Sequence, residues 1–171
     1  MSKNTLRLTV CAMLVALGVI LGGALSIPGF AMGGYSFKIG FGVLPVILSG
    51  VLYGPIWGGM VGGLTDLIQA LVFPKGPYMP WFTIVGVLFG AIPGMFFVKG
   101  QSPTWKRLAL AVATGQIICS VILNTAVLVL LVGGFGWEIM IPRIINQIVM
   151  IPLYTVLVYY ISRFLRKRSL V

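Results

Sequence analysis

Long stretches of this chain carry no charged side chain at all: 8–37, 39–65, 76–98, 108–137 and 144–162. A helix needs about 20 apolar residues, at about 1.5 Å of rise each, to cross the hydrocarbon of a bilayer. Charged residues make up 8% of the chain, against roughly 25% in soluble domains. Mean hydropathy is +1.10. A water-soluble fold of 171 residues could not bury that much apolar surface. The sequence describes an integral membrane protein.

Punctuation by Gly, Pro and charge divides the apolar sequence into six spans, roughly 7–27, 39–54, 56–73, 81–98, 107–132 and 142–164. The expected fold is all-α: a six-helix transmembrane bundle forming one domain over 1–171. The second span is short and meets the third at Tyr53-Gly54-Pro55 with almost no loop. The first span follows a basic start and ends near small residues, Ala24 and Ser26, as secretory leaders do. Its apolar run exceeds the ~7–15 residues of a leader core, so it reads as a membrane helix.

The net charge of +10 is not a nucleic-acid signature, because the cations cluster at span ends. In membrane proteins such clusters set orientation. Six spans place on one side Lys3, Arg7, Lys99, Lys106, Arg107, Arg163, Arg166, Lys167 and Arg168. The other side holds Lys38, Lys75 and Arg143. Both termini are therefore expected to be cytoplasmic. Each of the three outer cations belongs to a different outer connection or its edge, which suits an anion arriving from outside. Contact with lipid headgroups explains each one singly.

Polar side chains inside a bilayer are costly and tend to face the bundle interior. In PRIINQIVMIP (142–152), Arg143, Asn146 and Gln147 share one helix face, with Tyr154 near it. In the fifth span Gln116, Ser120 and Asn124 form a stripe spaced four apart. Asn124 and Gln147 are expected to meet in the outer half of the bundle. Pro142 suits a helix's first turn, which would put Arg143 in the N-terminal turn and ask for a negative partner there. Glu138, Asp66 and a ligand carboxylate are the alternatives. Asp66 itself is expected to hydrogen-bond locally with Thr65 and Gln69; a proton carrier is the other reading.

The outer connections are aromatic. FPKGPYMPWFT (73–83) sets Phe73, Tyr78, Trp81 and Phe82 among three prolines, and Trp137 sits in the third connection. An interfacial belt would also use such residues, but aromatics beside a cation in each connection suit a planar anion. Glycines four apart, at 58 and 62 and at 86, 90 and 94, suit close helix packing. Cys11 and Cys119 lie in apolar runs and read as buried thiols. With no His, no metal cluster, no phosphate-binding GxxxxGK[ST] loop and no nucleophile–base pair, the sequence supports neither an enzyme nor a bound cofactor.

These motifs resemble the substrate-binding S components of energy-coupling factor (ECF) vitamin transporters, the folate group in particular. The resemblance covers nearly the whole chain. It rests on AMLVA (12–16), KIGFGVLPVILSGVLYGPIWGGMVGGLTDL (38–67), PWFTIVGVLFG (80–90), LNT (123–125) and PRIINQIVMIP (142–152). It implies a multi-pass cell-membrane protein of a prokaryote that encloses one vitamin near the outer face. It also implies partners, a transmembrane coupling subunit and two ATPases, with the small residues Ala12 and Ala16 docking to the former. The implied ligand is folate, with pantothenate as the alternative. On this reading Arg143, Gln147, Asn146 and Asn124 hold the vitamin, with Trp81, Phe82, Tyr78, Lys38, Lys75 and Trp137 around it. A stand-alone ion-coupled carrier using Asp66 is the competing class.

Overall fold

The computed structural model describes residues 3–23, 27–32, 35–74, 78–97, 103–132 and 136–167. Six helical rods form the bundle. They are α1 (Lys3–Gly23), α2 (Val43–Tyr53), α3 (Pro55–Val72), α4 (Pro80–Met95), a rod made of α5 (Trp105–Gln116), a π-helical turn (Ile117–Leu123) and α6 (Asn124–Val132), and α7 (Gly136–Lys167). Among the described residues, three segments are long and apolar enough to cross a membrane unaided: Asn4–Gly23, Trp105–Val127 and Arg143–Arg166. The all-helical bundle expected from the hydropathy is present.

Three local features differ from the sequence reading. The first connection is an antiparallel two-stranded ribbon, β1 (Ile27–Met32) and β2 (Tyr35–Ile39), with Ile27 opposite Ile39. The second span is only partly helical: β2 takes Ile39, and a turn at 41–42 precedes the helix. What remains, α2, has 11 residues, about 16 Å of helix, roughly half the hydrocarbon thickness. The last helix begins at Gly136, so Pro142 and Arg143 lie past its first turn. Pro142 is therefore an interior proline, which membrane helices tolerate when neighbours satisfy the freed backbone groups.

The short α2 sits at the centre. Eight consecutive residues, Leu44 to Val51, are buried, as expected of a helix that is apolar all round. Its entry is held by the Tyr154 hydroxyl, which donates to the Gly40 carbonyl at 2.6 Å. Its exit is the tight corner foreseen at Tyr53-Gly54-Pro55. Gly54 has φ 91, a left-handed conformation that disfavours any residue with a Cβ. Pro55 then starts α3, where a missing N–H is harmless.

Backbone contact between α3 and α4 packs the other side of α2. A Cβ on Gly58 or Gly62 would collide with the carbonyl oxygen of Gly90 or Gly86, and one on Gly90 with that of Gly58. These are the glycines whose four-residue spacing marked them for packing. Gly59 is different, since its Cβ would come tightest to the Val87 side chain, at 3.2 Å, and meet the Val87 carbonyl oxygen and Ala91 Cβ only at ordinary contact distance, 3.5 and 3.7 Å. Gly90→Ala is therefore expected to lower stability by about 1–3 kcal/mol, the usual range for overpacking. Gly59→Ala should be close to neutral. Thermal unfolding of the two variants in the same detergent checks the contrast.

Candidate functional site

The π-helical turn explains how a cation is held inside the bundle. In an α-helix the Asn124 N–H would bond to the Ser120 carbonyl; here it bonds to Cys119 instead. Arg143, half-buried on α7, donates from Nη1 to the Ser120 carbonyl at 3.1 Å. One turn further, Gln147 Nε2 donates to the Ser120 hydroxyl at 2.7 Å. One serine thus receives both α7 side chains, through two different oxygens. No described residue forms an ion pair with Arg143, and Asp66 bonds elsewhere.

Around this junction lie polar atoms with no partner among the described residues. Gln147 Oε1, Gln116 Nε2 and Thr125 Oγ1 are buried and make no hydrogen bond. Their side chains are 7%, 2% and 7% exposed. Leaving a buried donor or acceptor unsatisfied costs about 1–3 kcal/mol, so Gln147 at the junction, with Gln116 and Thr125 about a turn either side of Ser120 in sequence, marks a stretch where further hydrogen bonds would be gained. Arg143 also uses one of its five N–H donors in the bond to the Ser120 carbonyl. Asn124 and Asn146 stand half-buried beside these residues in sequence.

Asp66 is not bonded to Thr65 or Gln69. Its Oδ2 accepts from the Thr83 hydroxyl on α4 at 2.8 Å, and Thr83 lies 2.9 Å from the Tyr78 hydroxyl. Thr83 has one proton, given to the carboxylate, so Tyr78 donates to Thr83. Thr65 and Gln69 face α1 instead, against Gly18 and Gly22.

The remaining candidates are spread around the bundle. Phe82 is half-buried, on the same side of α4 as buried Val85. Trp81 is 59% exposed and shares a face with exposed Ile84. Tyr78 is also exposed. Ala12 and Ala16 lie exposed on α1, beside the exposed Met13, Leu17 and Ile20. Lys38 is in β2 opposite Pro28, and Trp137 is in the first turn of α7, but both side chains lie outside the described residues, as does Lys75. An open groove of about 400 Å³ between α3 and α4 is lined by Pro55, Ile56, Gly59, Met60, Leu64 and Val87 among others. It offers no polar side chain and suits an acyl chain rather than an anion.

Sequence reasoning did not include Gln116, Thr125 or Thr83 among the functional residues. Gln116 was visible as part of a polar stripe, but the π turn that reorients the stripe has no mark in IICSVIL. Thr83 carries no signal as the partner of a carboxylate 17 residues away.

A helical bundle with a polar seam among its membrane helices is the architecture of a membrane transport component. Residues 6–162 match the family described as ECF transporter, substrate-specific component. The chain is 33% identical over 122 residues to the folate transporter FolT of Clostridium novyi (strain NT), covering 71% of this chain and 70% of that one. It is 23% identical over 163 residues to the folate transporter FolT of Leuconostoc mesenteroides, covering 92% and 85%. A crystal structure of FolT bound with folic acid superposes with a TM-score of 0.76 at 30% identity, over 94% of this chain and 96% of that one. The chain belongs to the substrate-specific (S) component family of ECF transporters. It is thus a multi-pass cell-membrane transport subunit and not an enzyme.

Ser120→Ala separates the two bonds at the junction. It removes the hydroxyl that Gln147 uses and keeps the carbonyl that Arg143 uses. The expected result is a loss of about 1–3 kcal/mol, because the buried amide of Gln147 is left without a partner at either end. Chemical or thermal unfolding in detergent measures it.

Proposed function

We propose that this chain is the folate-binding subunit of an ECF-type importer, a single transmembrane substrate-binding domain over 1–171 with both termini in the cytoplasm. The observation that carries the reading is the polar seam of Arg143, Ser120 and Gln147 in a fold superposable on FolT bound with folic acid. Folate carries carboxylates and a flat pterin ring rich in donors and acceptors. Arg143 supplies the remaining guanidinium donors to an anionic or carbonyl group. Gln147, Asn146 and Asn124 offer amides, Phe82, Tyr78 and Trp81 offer aromatic surface, and Lys38, Lys75 and Trp137 complete the set proposed from the sequence.

ATP hydrolysis belongs to partner subunits on this reading, since the chain has no nucleotide-binding loop. The exposed, small-residue face at Ala12 and Ala16 is where a coupling subunit's helices can approach closely. Replacing both alanines with leucine is expected to leave ligand affinity unchanged and to abolish ATP-dependent uptake in vesicles containing the partners. Uptake that survives would remove docking from these positions.

Calorimetric titration of the purified chain in detergent, with folate and separately with pantothenate, tests the substrate. Folate is expected to bind tightly with no partner present. Arg143→Ala should weaken it by roughly ten- to a hundredfold, the worth of hydrogen bonds to a charged group. Arg143→Lys should fall between, having lost the fork geometry. Tight pantothenate binding with silent folate changes the vitamin. Silence from both, with uptake by this chain alone that is lost in Asp66→Asn, would replace the proposal with an ion-coupled carrier.

A further inference from the structure

The chain has two acids, Asp66 and Glu138, and neither lies near the end where α5 begins and α7 ends. Glu138 is in the first turns of α7, 25 residues before Arg163, or about 37 Å of helix away. Asp66 is bonded to Thr83 near the start of α4, about 20 Å of helix from that helix's far end. Among the described residues, neither of these side-chain carboxylates lies near Lys106 or Arg163 at that end.

The structure draws those cations together around an aromatic cluster. Trp105, first residue of α5, meets Tyr159 of α7 edge to face, with ring centroids 5.3 Å apart. Tyr160 stands edge-on to Tyr159 at 5.9 Å. Arg163, exposed one turn on, reaches back to the Tyr159 hydroxyl at 3.4 Å. Lys106 is exposed beside Trp105, and the Arg107 guanidinium lies over the Phe97 ring at 5.9 Å. The Nε of Arg166 is buried with no acceptor among the described residues. Because α5 and α7 run antiparallel, the last turns of α7 project beyond the start of α5 and carry Arg163 and Arg166 past it.

The surface just above this cluster is apolar. Leu110 on α5 is 59% exposed, and Val156 on α7 is 37% exposed. An exposed apolar band, then an aromatic layer, then cations is the order met on leaving the hydrocarbon for the headgroups. A soluble protein partner would meet the cations but would have no use for the apolar band beside them.

The geometry points to a binding site for an anionic phospholipid at the α5–α7 end, with Lys106 and Arg163 on the headgroup phosphate, Trp105 and Tyr160 at the glycerol level, and the acyl chains along Leu110. This site is separate from the polar seam at Ser120 and does not depend on which vitamin binds there. It makes the assembled transporter's subunit sensitive to the acidic lipid content of the membrane.

The test is delipidation of the full chain in neutral detergent, then titration with phosphatidylglycerol, phosphatidylcholine or inorganic phosphate. Bound lipid is counted by native mass spectrometry and the thermal midpoint is followed in parallel. The wild type is expected to retain phosphatidylglycerol in preference to phosphatidylcholine and to gain thermal stability from it alone. Lys106→Gln/Arg163→Gln, both at exposed positions, should weaken retention roughly twenty-fivefold, at about fivefold per cation. Lys3→Gln/Arg7→Gln removes equal charge from α1 and should retain the lipid. Equal loss in both variants would reduce the site to diffuse attraction and overturn the proposal. A stabilisation reproduced by inorganic phosphate would overturn the lipid assignment in favour of a free-anion site. No lipid preference, with partner-subunit assembly lost in Lys106→Gln/Arg163→Gln, would assign the surface to a protein instead.

Discussion

A guanidinium within a membrane bundle must have an acceptor, and this chain provides one by departing from α-helical bonding in a neighbouring helix. The π turn at Ile117–Leu123 sends the Asn124 N–H to Cys119 and leaves the Ser120 carbonyl for Arg143. The same residue's hydroxyl takes Gln147. That junction fixes α7 against the α5–α6 rod at the polar seam, and the rest of α7 follows from it. Two turns beyond Gln147, Tyr154 reaches the Gly40 carbonyl and anchors the entry of α2. A half-buried cation, a distorted helix and the placement of the central helix are therefore linked through one face of α7.

The other half of the bundle is built on a different principle. Between α3 and α4 the contact is backbone on backbone, through Gly58, Gly62, Gly86 and Gly90. In a bilayer the hydrophobic effect gives helices little reason to associate, so dense packing of this kind supplies the attraction. The polar bonds of that half are few: Asp66, Thr83 and Tyr78 form a short chain joining α3 to the start of α4. The α3–α4 contact is thus closed by shape and the α5–α7 contact by hydrogen bonds, while buried polar atoms without a described partner occur on both sides, Thr65 Oγ1 and Gln69 Nε2 as well as Gln147 Oε1 and Gln116 Nε2. On the proposed function, a vitamin rich in hydrogen-bonding groups would use the α5–α7 side.

Much of the architecture was legible in the chain. Apolar runs located the six rods, and Tyr53-Gly54-Pro55 announced a corner that only glycine accepts comfortably. The glycine spacing identified the α3–α4 contact, because a repeat of four on a helix is a face. Residues 27–39 gave no such signal: a Gly- and Pro-rich connection has little alternation, and the ribbon there is defined by pairing across the hairpin. Pro142 misled, since the same residue that favours a first turn is also accepted inside a membrane helix. For the site, the face shared by Arg143 and Gln147 was readable from spacing. Their meeting on Ser120 was not, because a π turn depends on what the neighbouring helix offers, and no local residue preference encodes it.

Hydrogen exchange of the backbone amides in detergent, with and without folate, tests the central claim most directly. If the vitamin binds at the Arg143–Ser120 junction, folate should slow exchange at 117–124 and 143–147, with far smaller changes in the α3–α4 pair. Protection appearing elsewhere while the π turn and the start of α7 exchange as before would contradict the account, and would separate the distorted helix from the ligand it is held to serve.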